Sequence, residues 1–227
     1  MGKRRGGIFM KKILIVTAAI IAVIVLIAAA ALIRLNIRTS KLADDYSCVY
    51  DDPKYQEPVY VEGVDVITQD VSCGYAVIEM FSAWNGERIT EEELYDEYGR
   101  VATSTDSAFC DEMNLRFPEY TTQMYTYQTN TEMIDRIYDS LASGVPVPFE
   151  WAALYEDEWT LHYSLIIGLD IPADTVTVAN PYGYIEQISL DEFIGRTTFE
   201  AYENMPLFLK LGFAFGLFDK NTVFIVD

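Results

Sequence analysis

The chain has 227 residues, which is enough for one globular domain with an appendage. Its formal net charge is −19 and is divided unevenly. The first 43 residues carry eight bases and no acid, whereas residues 44–227 carry eight bases and 35 acids, or −27. A body that acidic repels phosphate backbones, which argues against nucleic-acid binding. Three cysteines and one histidine, isolated along the chain, do not form a zinc-binding pattern, and no nucleotide motif predicts another cofactor.

The first recognisable element is the apolar segment Ile13–Ile33, of 21 residues. An α-helix of this length spans roughly 31 Å, close to the hydrocarbon thickness of a bilayer. We therefore predict a transmembrane anchor at 13–33. A cleaved signal peptide is the alternative, although its apolar region is usually about 7–15 residues long. Five bases precede the segment and three follow it, which predicts a basic cytoplasmic tail at 1–12 and a body outside the cytoplasm. Residues 34–56 are predicted to form a stalk before a domain at 57–227.

Helical patterns come first in the body. The run 73–84 is almost wholly apolar and is followed by Gly86, which can end a helix in the left-handed conformation. Thr90-Glu91-Glu92-Glu93 is a capping-box pattern that opens a second helix. The predicted helices are 73–84, 90–98, 104–115 and 131–142.

A short strand or extended segment is predicted within 59–67, before the helices. The other strand patterns follow Gly144. A capping box at Ser189-Leu190-Asp191-Glu192 opens one more short helix. The separation of helices from strands predicts an α+β domain, with an antiparallel sheet packed on helices. The predicted strands are 145–151, 161–169, 175–179 and 223–226, with a hairpin connection at 170–174.

Cys73 stands at the predicted start of the first of these helices. A thiol at this position is close to unpaired backbone N–H groups and to the positive end of the helix dipole, which lowers its pKa. Gly74 beside it would let a substrate backbone approach closely. An isolated cysteine is more often a small buried apolar residue, so the catalytic interpretation requires partner residues.

His162, the only histidine, lies in an apolar predicted strand and is either a packed core residue or a base within reach of the thiol. Asn180 ends the next strand. If the two strands pair, its amide oxygen can accept a hydrogen bond from the imidazole; otherwise it is a turn residue before Pro181. Gln69 supplies an N–H donor that can hold an oxyanion together with the Cys73 backbone N–H.

The order of these residues resembles the papain-like cysteine peptidases, most closely their compact bacterial branch, the bacteriocin-processing (double-glycine) peptidase-like domains. The resemblance is carried by QDVSCGYA at 69–76, LHYSLIIGLD at 161–170 and ANPYG at 179–183. It implies a papain-like fold with Cys73 as nucleophile, His162 as general base and then acid, Asn180 as the residue that orients His162, and Gln69 in the oxyanion hole. Two features depart from the branch: the Gln–Cys interval is shorter, and Asp often stands where this chain has Asn.

The resemblance implies a cysteine peptidase or amidase that forms an acyl-enzyme from a peptide or protein substrate. The apolar segment and its flanking bases predict that this enzyme is membrane-anchored and extracytoplasmic. Acyl transfer to an amine shares the first half of that reaction and remains open. The rival hypothesis is a papain-like binding module without turnover, whose acidic surface binds a basic partner at the cell surface. Cys48 and Cys110 either form a disulfide outside the cell or stay free.

Overall fold

A computed structural model describes residues 3–99 and 103–227, with side chains in the first helix described at Met10 and from Lys12 onward. The α-helices of the described residues are α1 Lys3–Thr39, α2 Cys73–Asn85, α3 Glu91–Tyr98, α4 Asp106–Arg116, α5 Asn130–Ala142, α6 Leu190–Thr197 and α7 Leu207–Phe215. The strands are β1 Val59–Tyr60, β2 Thr122–Tyr125, β3 Val147–Tyr155, β4 Glu158–Asp170, β5 Thr175–Asn180, β6 Tyr184–Ile188 and β7 Thr222–Val226.

The predicted helix boundaries are confirmed where a capping signal marks them. The Ser72 hydroxyl accepts a hydrogen bond from Tyr75 N at the start of α2, and Gly86 ends the helix with a φ of 84°. Thr90 and Glu93 form the predicted capping box of α3. Ser189 caps α6 as predicted. The predicted capping box is incomplete, because the Glu192 carboxylate bonds to Arg196 at 2.5 Å and not to the Ser189 backbone N–H.

The strands form one antiparallel sheet in the order β2-β7-β3-β4-β5-β6, and β1 pairs with β4 beside this path. The long hairpin of β3 and β4 and the predicted hairpin of β4 and β5 make up its centre. Apolar side chains cover both faces of the sheet. Helices α2, α3 and α4 pack on one face, and α5 and α6 pack on the other. The predicted α+β fold, with an antiparallel sheet on helices, is confirmed.

A β-bulge interrupts the alternation of β4. Its pairing with β5 shifts register between Ile166 and Gly168. Ile166 and Leu169 therefore face the same layer, three residues apart, while Leu165 and Ile167 face the layer of α2. Strict alternation describes the strand only up to this bulge.

The structure corrects the prediction of a stalk at 34–56. Helix α1 continues to Thr39, and the following turns bury Leu42, Val49 and Tyr55, the last two in the core around α5 and α6. The Asp44 carboxylate accepts hydrogen bonds from the first two backbone N–H groups of α5, at 2.6 and 3.1 Å. This stretch is part of the packed domain because it buries apolar side chains and caps a helix. The further division of the chain into tail, anchor and domain stays a prediction.

Glu150 on β3 is an acid without solvent contact. Its side chain is fully buried, and its carboxyl shares a hydrogen bond with the Asp106 carboxyl; neither of its oxygens accepts from an N–H or hydroxyl donor of the described residues. Burial, followed by the neighbouring charge of Asp106, raises the pKa of Glu150 well above its usual value. Burial also raises the pKa of Asp106 to about 6, although hydrogen bonds from Glu150, from Tyr163 and from the Asp219 backbone N–H act to lower it.

We expect Glu150→Gln to stabilise the folded chain near neutral pH. A carboxyl with a raised folded pKa contributes its stability at low pH and loses it as the pH rises through that pKa, whereas glutamine has no charge to bury. The measurement is thermal unfolding of the detergent-solubilised full chain across acidic to neutral pH, with the exposed Glu57→Gln as the matched control. A lower melting temperature of Glu150→Gln at neutral pH would show that the ionised carboxylate is stabilised by the fold.

Candidate active site

The β4–β5 hairpin brings the only histidine to the predicted asparagine. His162 lies on β4 and Asn180 ends β5, and the pairing of Leu165 with Ala179 sets the register between them. His162 Nε2 lies 3.0 Å from Asn180 Oδ1, and both side chains are buried. The Tyr182 ring stacks on the imidazole, with 4.1 Å between ring centroids. The histidine ring is therefore held at its edge and on one face.

Hydrogen bonds around Asn180 define which nitrogen of His162 carries the proton. Asn180 Nδ2 donates to Glu186 Oε2 at 3.0 Å, so the opposite end of the amide is the oxygen. This oxygen accepts from the Tyr182 backbone N–H at 3.0 Å and can only accept from the imidazole. The neutral ring is then protonated at Nε2, and Nδ1 is left with a lone pair that can accept a proton.

A buried ion pair supports the asparagine from behind. Glu186 Oε1 accepts from Arg196 Nη1 at 2.6 Å, and the Arg196 side chain is itself mostly buried. The guanidinium also lies over the Trp151 ring, 4.9 Å from its centroid. Sequence reasoning missed Glu186 and Arg196 because neither belongs to a motif; their role depends on the pairing of β5 with β6.

Cys73 is the first residue of α2, as the sequence predicted, and remains partly exposed. The backbone N–H groups of Tyr163, Gly74 and Cys73 itself face the sulfur and act to lower the thiol pKa. Tyr163 is the residue after His162, so the sulfur lies next to the histidine strand. No hydrogen bond joins this sulfur to the His162 ring in the part of the chain that the structure describes. Catalytic hydrogen bonds are often long in a free enzyme and shorten when the substrate binds.

The expected lowering of the Cys73 pKa is not what the structure gives. Burial outweighs the three N–H groups and raises the pKa of the thiol, and the charge of Glu91 raises it further. Burial lowers the pKa of His162 to about 4, against a smaller opposing effect of the hydrogen bond to Asn180. Both groups are therefore neutral at rest, Cys73 as a thiol and His162 as an uncharged imidazole.

Gln69 lies in the loop before α2, next to the turn that follows Asn180. Its backbone N–H donates to the Pro181 carbonyl at 2.8 Å. A Cβ at Gly183, in the same turn, would collide with the Thr68 hydroxyl. The Gln69 side-chain oxygen is buried without a hydrogen bond to the described residues. The four predicted site residues thus lie on three neighbouring segments: the loop with α2, the strand β4 and the end of β5.

Gly74 has a packing role that differs from the predicted one. The residue is buried, and a Cβ at this position would collide with the side chain of Thr103. The missing side chain therefore lets the 103–105 loop pack against the start of α2.

Glu91 is a residue near the nucleophile that sequence reasoning assigned only to a helix cap. Its buried carboxylate accepts hydrogen bonds from the backbone N–H groups of Asp70, Val71 and Ser72, at 2.7, 2.7 and 2.6 Å. Its own backbone N–H donates to Glu79 on α2, at 2.7 Å. One side chain thus fixes the loop that leads into Cys73. The sequence contains no signal for this role, because the three donors are 19 to 21 residues away.

Comparison with known proteins places the chain in a family. The model of the Peptidase C39-like family matches residues 61–206, a range that contains all four predicted site residues. No curated protein matches significantly. Ten chains of solved structures match. One is a double glycine motif protease from an AMS/PCAT transporter in complex with the leader peptide; it is 15% identical, with a TM-score of 0.47, and the match covers 74% of this chain and 96% of that chain.

The architecture is an α+β domain with helices packed on an antiparallel sheet, as the sequence predicted. The chain belongs to the Peptidase C39-like family, because the family model covers more than half of it. The match supports a peptidase, and the cysteine type is the usual one in this family.

We expect Glu91→Gln to slow the reaction of Cys73 with a thiol-directed probe at least tenfold. The amide offers one acceptor oxygen in place of two, and losing one charge-assisted hydrogen bond costs roughly 1.5–3 kcal/mol, or about tenfold and more. The lost charge would by itself favour the thiolate, but Glu91 is the smallest contribution to the Cys73 pKa. The measurement is the labelling rate across pH, with the exposed neighbour Glu92→Gln as control. Equal rates for both variants at unchanged folding would contradict a positioning role.

Proposed function

We propose that this protein is a membrane-anchored cysteine peptidase or amidase, with a domain outside the cytoplasm, that cleaves a peptide or protein substrate through an acyl-enzyme on Cys73. The observation that carries the proposal is the hydrogen bond between Asn180 and His162 Nε2, because it leaves Nδ1 as the basic nitrogen on the strand whose next residue directs its backbone N–H at the Cys73 sulfur. Family membership supports the peptidase part of the proposal.

The proposed reaction begins from the neutral pair. As Cys73 Sγ attacks the substrate carbonyl carbon, its proton passes to His162 Nδ1. The carbonyl oxygen takes up the negative charge, and the Cys73 backbone N–H and the Gln69 side chain donate to it. His162 then gives the proton to the leaving amine as the C–N bond breaks, which leaves the acyl group on sulfur. Water, deprotonated by the same nitrogen, releases the acid and restores the thiol.

Asn180 and Tyr182 prepare the histidine for both steps. The amide oxygen stabilises the imidazolium that forms after the first transfer, and the stacked Tyr182 ring limits rotation of the imidazole. The Glu186–Arg196 pair prevents the amide from turning over, because a reversed amide would present N–H₂ to the imidazole N–H.

The proposed topology follows from the first helix. Among the described residues, α1 contains one stretch long and apolar enough to cross a membrane, with a mean hydropathy of 3.2. The larger cluster of bases precedes this stretch, so the N-terminus is proposed to be cytoplasmic and the acidic domain to lie outside.

A second candidate function is a binding module without turnover. The neutral resting state favours it, because an un-ionised thiol and an uncharged imidazole are also what a catalytically silent relative would contain. Acyl transfer to an amine is the third candidate and differs from hydrolysis only in the second half of the reaction.

We expect Cys73→Ala to abolish both labelling by a peptide-based electrophilic thiol probe and cleavage of a peptide library. Two further thiols in the described residues provide matched controls: Cys48 is exposed and Cys110 is half-buried, and both are free. Cys48→Ala and Cys110→Ala should retain cleavage. Unchanged labelling in Cys73→Ala, or labelling without any cleavage or transfer in the parent chain, would favour the binding module.

We also expect the alkylation rate of Cys73 in the free protein to rise in one step, above neutral pH. Burial raises the thiol pKa, and the imidazole, with a pKa of about 4, is already uncharged at pH values where an ion pair would form. The measurement is the iodoacetamide reaction from about pH 4 to about pH 10 in a chain that lacks Cys48 and Cys110. A constant fast rate from mildly acidic pH upwards would instead show a resting thiolate–imidazolium pair.

A further inference from the structure

Helix α7 presents an apolar face to solvent. Leu207 and Phe208 are 71% and 69% exposed, Phe215 is also exposed, and Leu211 is half-buried. At about 100° per residue, these four side chains fall within a quarter to a third of the helix circumference. Leu217, just beyond the helix, extends the exposed surface. We call these five residues the α7 face.

The α7 face lies beside the last turns of the apolar segment of α1. The two helices pack against each other. Ala28, Ala31 and Leu35 are the partly covered residues of this stretch of α1, spaced three and four apart on one side of the helix. Leu35 joins the apolar cluster around Phe213 of α7. Because Leu35 follows the apolar segment 13–33 by two residues, α7 lies at the level where that segment ends.

The end of α1 is fixed to the domain. Arg38 bonds to Asp219 at 3.2 Å, and its guanidinium lies over the Tyr127 ring, 3.7 Å from the centroid. The helix continues without a break from the apolar segment to this contact. The orientation of the domain relative to α1, and with it the position of α7, is therefore set by packing.

We propose that the α7 face lies in the outer interfacial layer of the bilayer that α1 spans, so that its occupant is lipid. The inference rests on the membrane anchor of the proposed function. Two observations favour lipid over a second copy of the chain: the continuity with the membrane-spanning segment and the exposed Lys210 on the side of the same helix, which can extend towards anionic headgroups. Leucine and phenylalanine at this depth are typical of helices that lie in the membrane interface.

The test uses the full chain in nanodiscs that hold one copy each, with lipids brominated either near the headgroup or near the bilayer centre. Phe208→Trp and Phe215→Trp report on the α7 face, and Val25→Trp reports on the anchor. Leu115→Trp, on the exposed surface of α4, is the matched control. We expect shallow bromines to quench the added fluorescence of the α7 variants most strongly, deep bromines to quench that of Val25→Trp, and neither to quench that of Leu115→Trp.

The outcomes separate the inference from the anchor. Quenching of Val25→Trp without quenching of either α7 variant would overturn the inference and retain the anchor, and the face would then be assigned to a protein partner or a second copy. Quenching of the α7 variants without quenching of Val25→Trp would support contact with lipid and overturn the anchor. Absence of quenching in the α7 variants and in Val25→Trp would overturn both the inference and the anchor.

Discussion

The orientation of one amide group governs the chemistry of this site. Asn180 can present either oxygen or nitrogen to the imidazole, and only the oxygen leaves His162 with a basic Nδ1. The choice is made by Glu186, which accepts from the amide nitrogen, and Glu186 is in turn bonded to a buried arginine. The Glu186–Arg196 ion pair is costly to bury. Its hydrogen bonds to Asn180 and Glu192 offset part of that cost.

The proposed nucleophile, Cys73, is subject to opposing electrostatic effects. The start of α2 and the backbone of β4 direct N–H groups at the Cys73 sulfur, which favours the thiolate, while burial and Glu91 favour the thiol. Glu91 is nevertheless needed for geometry, since three N–H groups of the loop before the nucleophile would otherwise be unpaired. The Glu91 charge thus opposes the thiolate while its hydrogen bonds order the loop, and under the proposed mechanism His162 has to deprotonate Cys73 during the reaction.

The parts of this structure that follow from local patterns could be predicted from the sequence. Caps at Ser72, Thr90 and Ser189 located three helices, and the hairpin at 170–174 brought Asn180 to the level of His162. Elements whose stability comes from distant partners could not: β2 depends on β7, β6 on β5, and α7 on α1. The stalk was mispredicted because a polar stretch can still bury a few side chains against a helix far along the chain. The roles of Glu91, Glu186 and Arg196 at the site could not be predicted for the same reason, because they depend on how separate segments pack together.

The uninterrupted course of α1 into its contact with Asp219 has a consequence for how substrates would be reached. A domain on a flexible tether explores a hemisphere whose radius grows with tether length, so it meets targets at many heights. A domain that is bonded to the helix supporting it keeps its candidate active site at one height and one tilt. Under the proposed topology, selection among substrates would then depend on where a scissile bond stands above the lipid surface as well as on the amino acids around it.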